Sequence, residues 1–134
     1  MPSTRRDDAT DAGSTTLKGL RVLVIEDGWQ LADALKLLLE RMGMVVAGPV
    51  GTTREARALA RESCPDLAVV DVNLNGEMAY DLMDWLHERG TRIIVISGYE
   101  ELPGALRKFS ATLQKPFTAT SLLTALELAM ARVP

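Results

Sequence analysis

The feature that most limits what this chain can fold into is a regular alternation between two kinds of segment. Short apolar runs recur at "RVLVI" (21–25), "MVVAG" (44–48), "DLAVV" (66–70), "RIIVI" (92–96) and "ATLQ" (111–114). Each is too short for a stable helix and is bounded by glycine, proline or polar residues, so each reads as a strand. Between them, apolar residues fall at helical spacing. "QLADALKLLLERM" (30–42) sets Leu31, Leu35, Leu38 and Met42 on one face and stops at Gly43. "REARALARES" (54–63) follows Thr53, a capping residue, and closes before Pro65. "YDLMDWLHER" (80–89) aligns Leu82, Trp85 and Leu86 ahead of Gly90. Pro103 and Gly104 confine the next helix to "ALRKF" (105–109), a shortened fourth helix. A last helix, "SLLTALELAMARV" (121–133), follows Thr118 or Thr120 and aligns Leu122, Leu126, Met130 and Val133. Strands alternating with helices predict an α/β fold, a doubly wound five-stranded parallel sheet with helices on both faces.

The 134 residues suffice for one domain. Residues 1–18 begin "MPSTRRDDATDAGSTT", polar and without periodicity, and are expected to form a disordered tail ahead of a domain at 19–134. A single cysteine, Cys64, excludes an internal disulfide and fits a reducing compartment. No apolar run approaches the roughly 18 residues of a membrane span, and nothing resembles a signal peptide. Acids and bases are spread along the chain to a net charge of −3. The expectation is a cytoplasmic protein with neither a membrane nor a direct nucleic-acid partner.

In parallel sheets, ligands collect beyond the carboxyl ends of the strands. Those ends carry Glu26 and Asp27, then Asp71, then Ser97, then Lys115 followed by Pro116 and Phe117. Three carboxylates in one place repel one another. A hard divalent cation, Mg2+ (or Mn2+), resolves that conflict, while the lysine and hydroxyl supply donors to an adjacent anion. The set is suited to holding a phosphoryl group on or near a carboxylate.

The motifs "VLVIED" (22–27), "VVDVNL" (69–74), "VISG" (95–98) and "LQKPF" (113–117) resemble the response-regulator receiver domain of two-component signalling, from about residue 19 onward. The resemblance implies a flavodoxin-like strand order 2-1-3-4-5. It implies that Asp71 accepts a phosphoryl group from a histidine kinase or histidine phosphotransfer protein. Glu26, Asp27, Asp71 and the backbone carbonyl of Asn73 would ligate Mg2+. Lys115 would pair with one phosphoryl oxygen and Ser97 with another, and the Lys115–Pro116 peptide would be cis. Such a protein is a phosphoacceptor rather than an enzyme, with at most Mg-dependent self-phosphorylation and autodephosphorylation. Because the chain ends after the last helix, a stand-alone response regulator is expected, a monomer or weak dimer. Its output would pass through protein contacts or phosphorelay to a downstream protein that the sequence does not name.

The chain also departs from the family. Receivers commonly follow the acceptor with Met-Pro and then Asp-Gly, where this chain has Leu74–Asn75 and "GEMAY" (76–80). The aromatic switch three residues before the lysine is replaced by Thr112. With "SGY" (97–99), these departures resemble the FATGUY group of single-domain receivers, which implies Tyr99 as the mobile element. Two other classes stay open. One is a metal-dependent phosphohydrolase with an aspartyl-phosphate intermediate, which would place its nucleophile on the first strand. The other is a degenerate receiver used only for binding. A flavin mononucleotide site is disfavoured by the two acids of "EDGWQ" (26–30). Trp29 and Trp85 read as packing residues, His87 as a surface side chain, and Cys64 as an unactivated thiol.

Overall fold

In the computed structural model, described over residues 17–98, 109 and 111–131, the five apolar runs become one parallel sheet. In chain order the elements are β1 (Arg21–Ile25), α1 (Trp29–Arg41), β2 (Val45–Val50), α2 (Thr53–Ser63), β3 (Leu67–Asp71), β4 (Asn73–Leu74), β5 (Glu77–Met78), α3 (Tyr80–Glu88), β6 (Arg92–Ser97), β7 (Ala111–Gln114) and α4 (Ala119–Ala131). The main sheet runs β2-β1-β3-β6-β7 with every pair parallel, which is the expected 2-1-3-4-5 order of its five strands. β4 and β5 form a separate antiparallel pair. The shortened helix expected over 105–109 lies outside the described residues except for Phe109, which is buried.

Strand side chains alternate between faces, so each strand feeds two cores. Leu23, Ile25, Ala68, Val70, Ile93 and Val95 pack with Ala56 and Ala60 of α2 and with Leu82, Met83 and Leu86 of α3. Val22, Val24, Leu67, Val69, Ile94 and Ile96 pack with Leu35 and Leu39 of α1 and with Leu122 and Leu126 of α4. Both faces being covered explains why β3 is buried along its whole length. Leu17, on the tail side of the expected boundary, is fully buried in the second core.

Three local readings need correction. β2 does not stop at Gly48 and Pro49 but continues through a cis Gly48–Pro49 peptide to Val50. It is an edge strand, so the missing N–H of Pro49 leaves no gap in an inner ladder. The register shifts between Leu23 and Ile25, Ile25 then pairs with Val50, and the Glu26 N–H donates to the Val50 carbonyl at 2.9 Å. Second, Thr52 rather than Thr53 caps α2. Its hydroxyl oxygen accepts from the Glu55 N–H at 3.1 Å and donates back to the Glu55 carboxylate at 3.2 Å. Thr52→Ala is therefore expected to cost about 1 kcal/mol, read as a lower urea midpoint at unchanged slope; an unchanged midpoint would contradict the cap. Third, only Trp85 packs against the core, while Trp29 is 72% exposed.

At the other end of the chain, Thr118 caps α4 through reciprocal bonds with Ser121. The Ser121 N–H donates to the Thr118 hydroxyl and the Thr118 N–H to the Ser121 hydroxyl, each at 3.0 Å. This pins the capping residue of α4 three residues beyond Lys115.

Candidate functional site

Strand ends bring the ionisable residues together. Glu26 and Asp27 follow β1 directly, Asp71 is the last residue of β3, and Lys115 follows β7. They line an open cleft of about 610 Å³ together with Gly28, Asn73, Asn75, Gly76 and Gly98. Glu26 and Asp71 are each only 4% exposed, whereas Asp27 faces solvent. Ser97 ends β6 and is buried, and the wall at that strand end is lined by Gly98. The Lys115 N–H donates to the Ser97 carbonyl at 2.7 Å, which fixes the start of the Lys115–Pro116 segment against β6. That peptide is cis.

Both oxygens of Asp71 are held. Oδ1 accepts from the Asn73 N–H at 3.1 Å, and Oδ2 accepts from Lys115 Nζ at 2.9 Å. Glu26 Oε2 accepts from the Gly28 N–H at 2.9 Å. Glu26 Oε1 is buried without a hydrogen-bond partner, and Lys115 Nζ stands 3.5 Å away. Burial pushes the Glu26 carboxyl up from 4.5 to about 7; the Gly28 N–H opposes the shift, the Asp71 charge adds to it, and Lys115 pulls against it. For Lys115, burial acts downward, but the hydrogen bond and charge of Asp71, with Glu26 behind them, prevail and raise its pKa.

A divalent cation fits this donor set. One oxygen each from Glu26, Asp27 and Asp71 lie within 4.8 Å of one another, and Glu26 Oε1 is a desolvated oxygen that no donor satisfies. All the candidate donors are oxygens, the preference of hard cations such as Mg2+.

Sequence reasoning missed one element of the site. The stretch after Asp71 is a tight hairpin, β4–β5, whose two turn residues are Asn75 (φ 53°) and Gly76 (φ 93°), the left-handed pair of a type I′ turn. The Gly76 N–H donates to Asn73 Oδ1 at 2.7 Å, and Glu77 ties the hairpin to the start of α2 by accepting from the Thr53 hydroxyl at 2.8 Å. The hairpin therefore hangs Asn73, Asn75 and Gly76 over the cleft as a fixed wall. The readable signal was the Asn-Gly pair.

The sequence pattern of the response regulator receiver domain matches residues 22–127. The chain belongs to the response regulator receiver domain family. The transcriptional regulatory protein PdtaR of Mycobacterium tuberculosis is 30% identical over 128 residues, 92% of this chain. This receiver spans 62% of that relative's length. Among solved structures, the signal receiver domain of a modulated diguanylate cyclase from Desulfovibrio desulfuricans superposes with a TM-score of 0.75 at 28% identity, over 85% of this chain and 95% of that one. A two-component response regulator of the LuxR family from an Aurantimonas species shares the fold, with a TM-score of 0.75 at 23% identity over 85% and 86% of the two chains.

One residue singled out in the sequence stands apart from the receiver's cleft. Thr112 is exposed on β7, opposite Val95, and lines a separate groove with Thr118, Ser121 and Leu128. Tyr99 lies outside the described residues.

Proposed function

We propose that this receiver accepts a phosphoryl group on Asp71 from a histidine kinase or histidine phosphotransfer protein. We further propose that it acts in the cytoplasm and passes the signal on through protein contacts or phosphorelay. The observation that carries the reading is the pinned Asp71 carboxylate. It is buried at the end of an inner strand, with one oxygen on the Asn73 N–H and the other on Lys115, facing an open cleft.

In the transfer, an Asp71 oxygen forms the O–P bond as the P–N bond to the donor imidazole breaks. The bonding electron pair leaves on the imidazole nitrogen, and Asp71 becomes an acyl phosphate. Glu26, Asp27, Asp71 and the Asn73 carbonyl would hold Mg2+, which supplies charge neutralisation for the transferred group. Lys115, already 2.9 Å from Asp71, is placed to move its charge onto a phosphoryl oxygen. Ser97 has the role of a second donor at the neighbouring strand end. Among the described residues no helix is long and apolar enough to cross a membrane. The switch role that the FATGUY resemblance implies for Tyr99, two positions beyond Ser97 in the sequence, belongs to the same reading.

The test is phosphorylation with a small phosphodonor and Mg2+, followed by mass, with beryllofluoride binding followed by fluorescence. Trp29 reports on it, since it is exposed and begins α1 two residues after Asp27. Wild type should gain the mass of one phosphoryl group and change its emission, and Asp71→Ala should do neither. An undiminished response in Asp71→Ala, or none in wild type, overturns the reading.

A further inference from the structure

Away from the cleft, a single indole gathers three cations. Trp85 on α3 is half-buried against the core shared with α2. The guanidinium carbons of Arg57 and Arg61 on α2, and of Arg89 just past α3, lie 5.1, 5.2 and 4.6 Å from its ring centroid. Each is within range of the ring quadrupole. All three are therefore within about 10 Å of one another, comparable to the screening length at ordinary ionic strength. A ring has two sides, so at least two of the cations share one. Among the described residues, no carboxylate stands at ion-pair distance from Arg57, Arg61 or Arg89. Three positive charges are thus concentrated around one ring.

We propose that the Arg57, Arg61, Arg89 and Trp85 cluster is a docking site for a short acidic segment of a partner protein. A guanidinium stacked on a ring keeps its N–H edge available and loses rotational freedom in advance, which suits paired hydrogen bonds to a carboxylate. The indole is already occupied by guanidiniums, so it offers little room for a nucleobase to stack. Exposed acids on the same two helices, Glu55, Glu62, Asp81 and Glu88, interrupt the positive surface. They oppose a long polyanion such as a nucleic-acid backbone, whereas a few carboxylates on a peptide need only the three arginines. The site sits on the helices covering one sheet face, away from the strand-end cleft, so it does not rest on the phosphoacceptor reading.

The experiment titrates the isotopically labelled protein with an end-capped Glu-rich synthetic peptide. It follows the Trp85 indole N–H and the three arginine Nε–H resonances by NMR, with a Lys-rich peptide as control. The Glu-rich peptide should shift these signals, and binding should weaken as salt is added. Combined R57Q, R61Q and R89Q should weaken binding by about tenfold, and Arg→Lys at the same positions should weaken it too, because lysine keeps the charge but not the fork. Far-UV circular dichroism and the urea midpoint establish that the variants fold. Arg61→Gln alone, at an exposed position, should weaken binding measurably if the triple variant does not fold. No shift with the Glu-rich peptide, or equal affinity in the folded glutamine variants, overturns the proposal. Tighter binding of single-stranded RNA at the same resonances would overturn the assigned partner class.

Discussion

Glu26→Gln is expected to make the metal-free protein more stable by about 3 kcal/mol above pH 7, and to leave it nearly unchanged below pH 4.5. In the folded state, burial and the Asp71 charge raise the Glu26 carboxyl to about 7 from 4.5. Between those values the folded chain holds a proton that the unfolded chain has lost, so this group makes stability fall as pH rises. Below 4.5 both states are protonated and no penalty exists. Above 7 both are ionised and the whole penalty is present, that of a buried carboxylate beside Asp71 which the Gly28 N–H and Lys115, 3.5 Å from Oε1, only partly offset. Glutamine removes the charge and keeps a carbonyl to accept from the Gly28 N–H. Urea denaturation in chelator at pH 5, 6, 7 and 8 measures the difference. Wild-type stability that does not decline relative to the variant across that range would exclude the shift. Adding Mg2+ should reverse the ranking at pH 8, since the cation stabilises whichever folded state binds it.

Glu26 also shows where sequence stops being informative. Acids at strand ends are legible because a parallel sheet directs the carboxyl ends of its strands to one edge. Which acid is buried is not. Glu26 is 4% exposed and Asp27, the next residue, faces solvent. Consecutive residues turn to opposite sides of an extended chain, and nothing local says which of the two turns inward where the pairing of β1 with β2 is itself irregular. The strands themselves are legible because burial on both faces demands continuous apolar runs. The end of β2 is not, because Pro49 forbids only an inner position and edge placement is decided by the whole sheet. Asn75–Gly76 is a hairpin signal, yet β4 and β5 have two residues each, too few to display alternation. The unread Arg57, Arg61 and Arg89 cluster follows from α2 and α3 packing side by side, a tertiary fact with no local mark.

Gly48→Ala is expected to destabilise the fold by about 3 kcal/mol and to weaken the cation site with it. Gly48 has φ +90°, and a Cβ added there would stand 2.9 Å from the Val24 carbonyl oxygen and 3.0 Å from the Val50 nitrogen. The Val50 nitrogen lies two residues along β2 itself, so relieving that contact requires the strand's own backbone to change. The Val24 oxygen belongs to β1, so relieving that contact requires β2 to move away from β1. That movement strains the bond from the Glu26 N–H to the Val50 carbonyl, at 2.9 Å the link that fixes the backbone of Glu26. Gly76→Ala separates the two causes. Gly76 has nearly the same φ, +93°, but an added Cβ meets nothing within 4 Å. It should cost only the conformational preference, about 1 kcal/mol. Urea midpoints for the two variants, with Mg2+ titrations followed by Trp29 fluorescence, supply the comparison. Equal destabilisation would mean that the approach of β2 to β1 contributes nothing. A larger loss in Gly48→Ala, accompanied by weaker Mg2+ binding, would tie the end of an edge strand to the placement of a buried carboxylate in the cleft.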